Sequence, residues 1–310
     1  MTSSTQTIYA DAVLFDMDGT LTDSIAAVEA AWGKVALDIG QDPAHVIAAT
    51  HGKRAVDNLA AFKPSIKSHE MDDEVTAFEE TILYYADAYN THGPGSRKKL
   101  HPRRPSFSAL ARMLSLSAIS DAPPVRIAGE HEYPIAEDDA EAEAQAEADA
   151  KKMQRHEFAA WQIEAQAVDR SVRILPGVKR VMASIPAGRY AVATSGAKTY
   201  AHGCMTRVGI TPPPVTITAD DKRLRAGKPA PDAFLLAAAE LGFPAARCVV
   251  FEDSPAGIRA GVASGATVIA VCTSHARAQI DRCGAHFIVE DMERVRVEME
   301  GGRLRFTLDL

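Results

Sequence analysis

Four short runs of unbroken apolar residues punctuate the chain: Ala12-Val13-Leu14-Phe15, Tyr190-Ala191-Val192-Ala193, Cys248-Val249-Val250-Phe251 and Thr267-Val268-Ile269-Ala270-Val271. Continuous rather than alternating hydrophobicity predicts strands buried on both faces, as in a parallel sheet. The stretches between them change to a helical period. From Asp232 to Leu241 a helix is expected, with Pro231 and Asp232 at its start, Phe234, Leu235 and Ala238 on its inner face and Gly242 at its end. Ser254-Pro255 opens another, the serine as N-cap and the proline at the first helical position. Strands alternating with helices predict a doubly wound α/β core.

The two ends of the pattern differ from this core. Val295, Val297 and Met299 alternate with polar residues, Gly301-Gly302 follows, and Leu304, Phe306 and Leu308 alternate again, which predicts a C-terminal β-hairpin. Between the first apolar run and the second lie about 170 residues, too many for one crossover. Ile25 to Ala61 and Asp72 to Tyr89 are amphipathic, so a helical domain is expected to be inserted there. Residues 93–150 change character once more: Arg97-Lys98-Lys99 and Arg103-Arg104 are basic, Pro123-Pro124 and Pro134 break structure, and an Ala/Glu/Asp-rich run begins at Glu137. The expected organisation is a Rossmann-like parallel-sheet core from 1–22 and 172–310 and a helical cap from 23–92 and 151–171. Residues 93–150 form a polar insertion, partly disordered or an extended helix.

Composition refines this picture. The chain has 310 residues, enough for a sizeable core, and 46% of them are hydrophobic. Its formal net charge of -7 counts against a general nucleic-acid binder. Nine of the acids fall within 130–150, with no Lys or Arg among them, so removing them leaves the rest of the chain at +2. The acidity therefore marks the insertion and sets no barrier to an anionic substrate in the core. No apolar run approaches the roughly 20 residues of a bilayer span, so no membrane association is expected. Met1 to Ala10 lack the basic start and apolar stretch of a secretory signal, and Cys204, Cys248, Cys272 and Cys283 show no C-x-x-C spacing. A reduced, cytoplasmic setting is the simplest expectation.

Candidate chemistry gathers at the strand ends. The first run leads into Asp16-Met17-Asp18-Gly19-Thr20, the second into Thr194-Ser195-Gly196, and the third into Glu252-Asp253-Ser254-Pro255. Lys228 stands in Gly227-Lys228-Pro229, ahead of the helix at Asp232. Open α/β sheets bind ligands at their carboxyl ends. Asp16, Asp18, Glu252 and Asp253 in one place repel one another unless Lys228 or a cation compensates, and hard oxygen ligands beside a phosphate site suit Mg²⁺. A carboxylate can attack phosphorus, and a second can protonate the leaving oxygen and then deprotonate water. Mg²⁺, Lys228 and Thr194 can hold the equatorial oxygens.

In order and type, Asp16-Met17-Asp18-Gly19-Thr20-Leu21-Thr22, Thr194-Ser195-Gly196, Lys228-Pro229 and Glu252-Asp253-Ser254-Pro255-Ala256-Gly257 resemble the four motifs of the haloacid dehalogenase-like hydrolase superfamily. The resemblance covers most of the chain outside 93–150. Ala44-His45-Val46-Ile47 and Thr50-His51-Gly52-Lys53-Arg54-Ala55-Val56-Asp57 further resemble the cap of fungal glycerol-3-phosphate and 2-deoxyglucose-6-phosphate phosphatases. The resemblance implies Asp16 as nucleophile and Asp18 as acid/base. It implies Mg²⁺ held by Asp16, the Asp18 carbonyl, Asp253 and Glu252, and phosphate held by Thr194, Ser195 and Lys228. His51, Gly52 and Arg54 are the cap residues expected to face a small phosphorylated polyol or sugar. A sugar phosphomutase on the same scaffold and a catalytically silent regulatory protein are the competing readings. Residues 93–150 depart from the family pattern and offer a longer lid, a surface for a protein partner or a loose segment. Arg103-Arg104-Pro105-Ser106 within them resembles a basic-directed kinase site, where phosphorylation would act as a charge switch.

Overall fold

The computed structural model describes residues 5–99 and 161–310. The chain divides into two compact units, one of residues 1–87 and 169–310, the other of residues 88–168. The Ser106 segment and the acidic run of 130–150 lie outside the described residues. Within the second unit, Pro94–Lys99 forms a 3₁₀ helix and residues 161–167 are α-helical.

The four apolar runs become the four central strands of one six-stranded parallel sheet. They are β2 (Ala12–Phe15), β5 (Tyr190–Ala193), β7 (Cys248–Glu252) and β8 (Thr267–Val271). Two short strands complete the edges, β6 (Thr216–Ile217) and β9 (Phe287–Val289), giving the order β6-β5-β2-β7-β8-β9. All four residues of β2 are buried, because the strand has a neighbour on each side and cover on both faces. The chain runs outward from β2 to β6 and returns to add β7, β8 and β9 on the other side. β2 thus sits at the switch point where such sheets leave a crevice. Register carries the site with it: Phe15 pairs with Val192 on one side and Phe251 on the other, so the next residues, Asp16, Ala193 and Glu252, emerge at one level.

The helices follow from the spacing between strands. We number them α1 (Ile25–Asp38), α2 (Pro43–Thr50), α3 (Ala55–Phe62), α4 (Met71–Thr91), α5 (Val178–Ala183), α6 (Lys198–Arg207), α7 (Asp232–Glu240), α8 (Pro255–Ala263) and α9 (Arg277–Ile280). The helical stretch expected over 25–61 is three helices. The first break is followed by Asp42, whose carboxylate accepts the Ala44 and His45 N–H groups and restarts the helix at Pro43. On α7 the buried stripe is Ala233, Phe234, Ala237 and Ala238, while Leu235 is 43% exposed. That corrects its expected inward position: at 100° per residue, Leu235 falls one step past a stripe centred between Phe234 and Ala237. Trp32 of α1 packs against Phe78 of α4 with ring centroids 4.2 Å apart. The long excursion leaves the core through β3 (Thr22–Asp23) and re-enters through β4 (Arg173–Ile174), which pair antiparallel.

The expected hairpin forms as β10 (Val295–Glu300) and β11 (Arg303–Asp309). It gains a third strand that the sequence pattern does not reveal, β1 (Thr5–Ala10), paired antiparallel with β11. Leu304, Phe306 and Leu308 face inward and are fully buried, and the Phe306 ring lies 6.3 Å from Phe251 of the central sheet.

Candidate active site

Strand ends at β2, β5 and β7 bring together the residues that the sequence separates by more than two hundred positions. Asp16, Thr194, Lys228, Glu252 and Asp253 are all buried. The Lys228 ammonium bonds Asp16 Oδ1 and reaches Glu252 Oε1 at 2.8 Å. Its Nζ lies over the Phe234 ring, 4.9 Å from the ring centre. Glu252 is anchored through its other oxygen, which accepts the Asp253 and Ser254 N–H groups at 2.8 Å each and the Ser254 hydroxyl at 3.1 Å. This leaves no room for a side chain at Gly257, where an added Cβ would stand 1.5 Å from Glu252 Oε1. Asp253 accepts the Thr20 hydroxyl at 2.9 Å and that of Ser274 on its second oxygen.

The electrostatics are those of a cluster short of positive charge. Burial pushes the Asp16 carboxyl up to about 8, against the opposing pull of Lys228. Burial and then the Glu252 charge push Asp253 well above the carboxylate range. Lys228 pays a desolvation cost for its charge, but Asp16 and Glu252 outweigh it and raise its pKa. Asp18 is raised by burial and held back by hydrogen bonds from Ser24 and from the Tyr200 hydroxyl, the latter at 2.6 Å.

The phosphate-binding candidates divide. Thr194 Oγ1 accepts the Gly196 N–H at 3.1 Å, which keeps its own proton available to a ligand. Ser195 instead donates to the Gly52 carbonyl at 3.0 Å. His51 and Gly52, on the α2–α3 loop, line the same cavity as Asp16 and Asp18. Burial lowers the His51 imidazole below its ordinary pKa. Arg54 is not brought into that cavity: it binds Asp57 in two-pronged fashion at 2.8 and 2.9 Å and lies over Gly227. Sequence reasoning missed Ser24, Tyr200, Ser274 and Glu79, a buried acid of α4 that also lines the cavity. Only Ser24 carried a signal, its position two residues after the first motif.

A family model described as haloacid dehalogenase-like hydrolase matches residues 10–265. The chain therefore belongs to that family of hydrolases, as its four motifs implied. Hexitol phosphatase A of Escherichia coli strain K12 is 29% identical over 258 residues, spanning 83% of this chain and 81% of that one. Glycerol-1-phosphate phosphohydrolase 2 of Saccharomyces cerevisiae is 24% identical over 307 residues, spanning 96% of this chain and 88% of that one. A β-phosphoglucomutase structure from Clostridium difficile superposes with a TM-score of 0.54 at 17% identity over 93% of each chain, a likeness of fold. No helix among the described residues is long and apolar enough to cross a membrane.

Proposed function

We propose that this chain is a Mg²⁺-dependent phosphomonoesterase that releases phosphate from a small polyol or sugar phosphate, of the glycerol-phosphate or 2-deoxyglucose-6-phosphate type. The observation that carries the reading is the buried set of Asp16, Lys228, Glu252 and Asp253 at the carboxyl ends of β2 and β7. The donor set fits the metal: Asp16, Glu252 and Asp253 each offer a carboxylate oxygen within 4.8 Å of the others, against one ammonium. These three, with the Asp18 carbonyl, would hold Mg²⁺, which supplies charge to neutralise the phosphoryl oxygens.

The residues of the chain do the rest. Lys228 holds Asp16 Oδ1, which leaves Oδ2 to attack phosphorus. As the new O–P bond forms, the ester P–O bond breaks, and Asp18 gives its proton to the departing alkoxide. Burial serves this step by keeping the Asp18 carboxyl protonated to higher pH. Water then attacks the aspartyl-phosphate, Asp18 takes back a proton, and the Asp16–phosphorus bond breaks to release phosphate. Lys228 and the Thr194 hydroxyl offset the charge that develops on phosphorus. The segment carrying α1 to α4 acts as the cap, presenting an apolar wall with Glu29, His51 and Glu79 as hydroxyl partners. The relatives named for hexitol and glycerol phosphates support a polyol-sized substrate.

The test is phosphate release, with Mg²⁺, from a panel of glycerol, hexitol, hexose and deoxyhexose phosphates and phosphoglycolate. Release from a polyol or sugar phosphate is expected, with Asp16→Asn lowering it by about 10³-fold or more. Isomerised sugar phosphate without free phosphate would establish the phosphomutase instead, and normal hydrolysis by Asp16→Asn would sink the mechanism.

A further inference from the structure

His51, between α2 and α3, faces His275, on the loop after β8, with ring centroids 4.5 Å apart at 67°. One ligand atom from each, together with a carboxylate oxygen of Asp253, all lie within 4.8 Å of one another. His51 Nε2 is buried and has no hydrogen-bond partner among the described residues. His275 Nδ1 meets the Ser274 hydroxyl at 2.8 Å, which fixes its ring and leaves Nε2 as the remaining donor atom. The same hydroxyl binds Asp253 Oδ2, so one serine positions two of the three groups. A buried ring nitrogen left unpaired carries a desolvation penalty that a ligand would relieve.

The donor chemistry separates this cluster from its neighbour. Asp16, Glu252 and Asp253 offer oxygen alone, as Mg²⁺ requires. Two imidazoles and a carboxylate suit a borderline-soft ion, with three protein ligands and an open fourth position. We propose that His51, His275 and Asp253 form a second cation site, specific for an ion of the Zn²⁺ class, which ties the α2–α3 loop to the ends of the sheet. Occupancy engages Asp253, which both clusters share, and pins the loop whose Gly52 carbonyl already accepts from Ser195. The bound ion therefore inhibits the Mg²⁺-supported reaction and does not substitute for Mg²⁺. Its binding can be measured without any turnover, so this site and the phosphatase reading can fail separately.

Co²⁺ serves as the visible probe, titrated into the full chain at saturating Mg²⁺. One equivalent is expected to bind with the strong visible absorption of low-coordinate Co²⁺, and Zn²⁺ is expected to displace it. His275→Gln and His51→Gln should each weaken binding roughly tenfold or more, with the native circular dichroism retained. His275→Gln should also keep the wild-type rate in Mg²⁺ alone and require about tenfold more Zn²⁺ for inhibition. The proposal is overturned if the native chain shows no saturable Co²⁺ band, or if His275→Gln binds Co²⁺ and responds to Zn²⁺ as the wild type does.

Discussion

Asp18 is set by two opposing influences. Burial raises its pKa, and the Ser24 and Tyr200 hydroxyls, by bonding the ionised form, lower it. Removing one donor should therefore raise it further. As the proposed general acid, Asp18 must carry its proton when the ester bond breaks, so its ionisation sets the alkaline limb of kcat/KM. Tyr200→Phe is expected to move that limb to higher pH and to lower the maximal rate by roughly tenfold, since the carboxyl also loses an orienting contact. A pH profile that keeps its alkaline limb in place would remove Tyr200 from this role. Gly257 supplies a second test, of space and not of charge. With 1.5 Å between an added Cβ and Glu252 Oε1, Gly257→Ala must displace either the helix or the anchor of Lys228. A stability loss of about 1–3 kcal/mol in urea unfolding is expected, and an unchanged midpoint would show that α8 moves at little cost.

The start of α8 joins an element to the site. Ser254 Oγ accepts the Gly257 N–H at 3.1 Å and donates to Glu252 Oε2, so one hydroxyl caps a helix and steadies a carboxylate. Ser254→Ala should cost about 1 kcal/mol, with a smaller loss for Ser254→Gly, because glycine is the better-tolerated cap; equal thermal midpoints for wild type and Ser254→Ala would deny the cap its contribution. This cap was legible in the sequence because it is local, a serine followed directly by proline. So were β2, β5, β7 and β8, whose burial on both faces leaves an unbroken apolar run, and the acids at the ends of β2 and β7. What escaped is what distance decides. β6 and β9 are too short to carry a pattern. β1 reads Thr-Gln-Thr-Ile-Tyr-Ala and owes its pairing to β11, some three hundred residues away. Tyr200 and Glu79 reach the site from helices whose own spacing reports only on packing, and Ser274 from the loop after β8. Arg54 shows the reverse: a motif position whose partner, Asp57, stands one helical turn along and draws it out of the cavity.

At the scale of the molecule, the strand-end cluster, α1 to α3 and the part of α4 that carries Glu79 lie in one compact unit. Glu79 is where their joining can be measured. It projects from α4, is buried, and accepts the Ala197 N–H at 2.6 Å on the loop that follows β5. Burial is the main reason that its carboxyl rises to about 7, with Asp220 and Asp18 adding to it and the Ala197 bond opposing. The native state thus holds this proton more tightly than the unfolded chain does. Stability falls with pH wherever the native state binds more protons, so the loss begins near the unfolded value of 4.5 and is complete above about 7. The full difference is on the order of 3 kcal/mol. Glu79→Gln keeps an oxygen for the Ala197 N–H and removes the titration. Wild type and variant should therefore melt alike near pH 5, while at pH 8 the variant should melt several degrees higher. A gap that stays constant across that range would mean that the carboxylate ionises freely in the folded protein, and that α4 closes over the sheet ends without the proton.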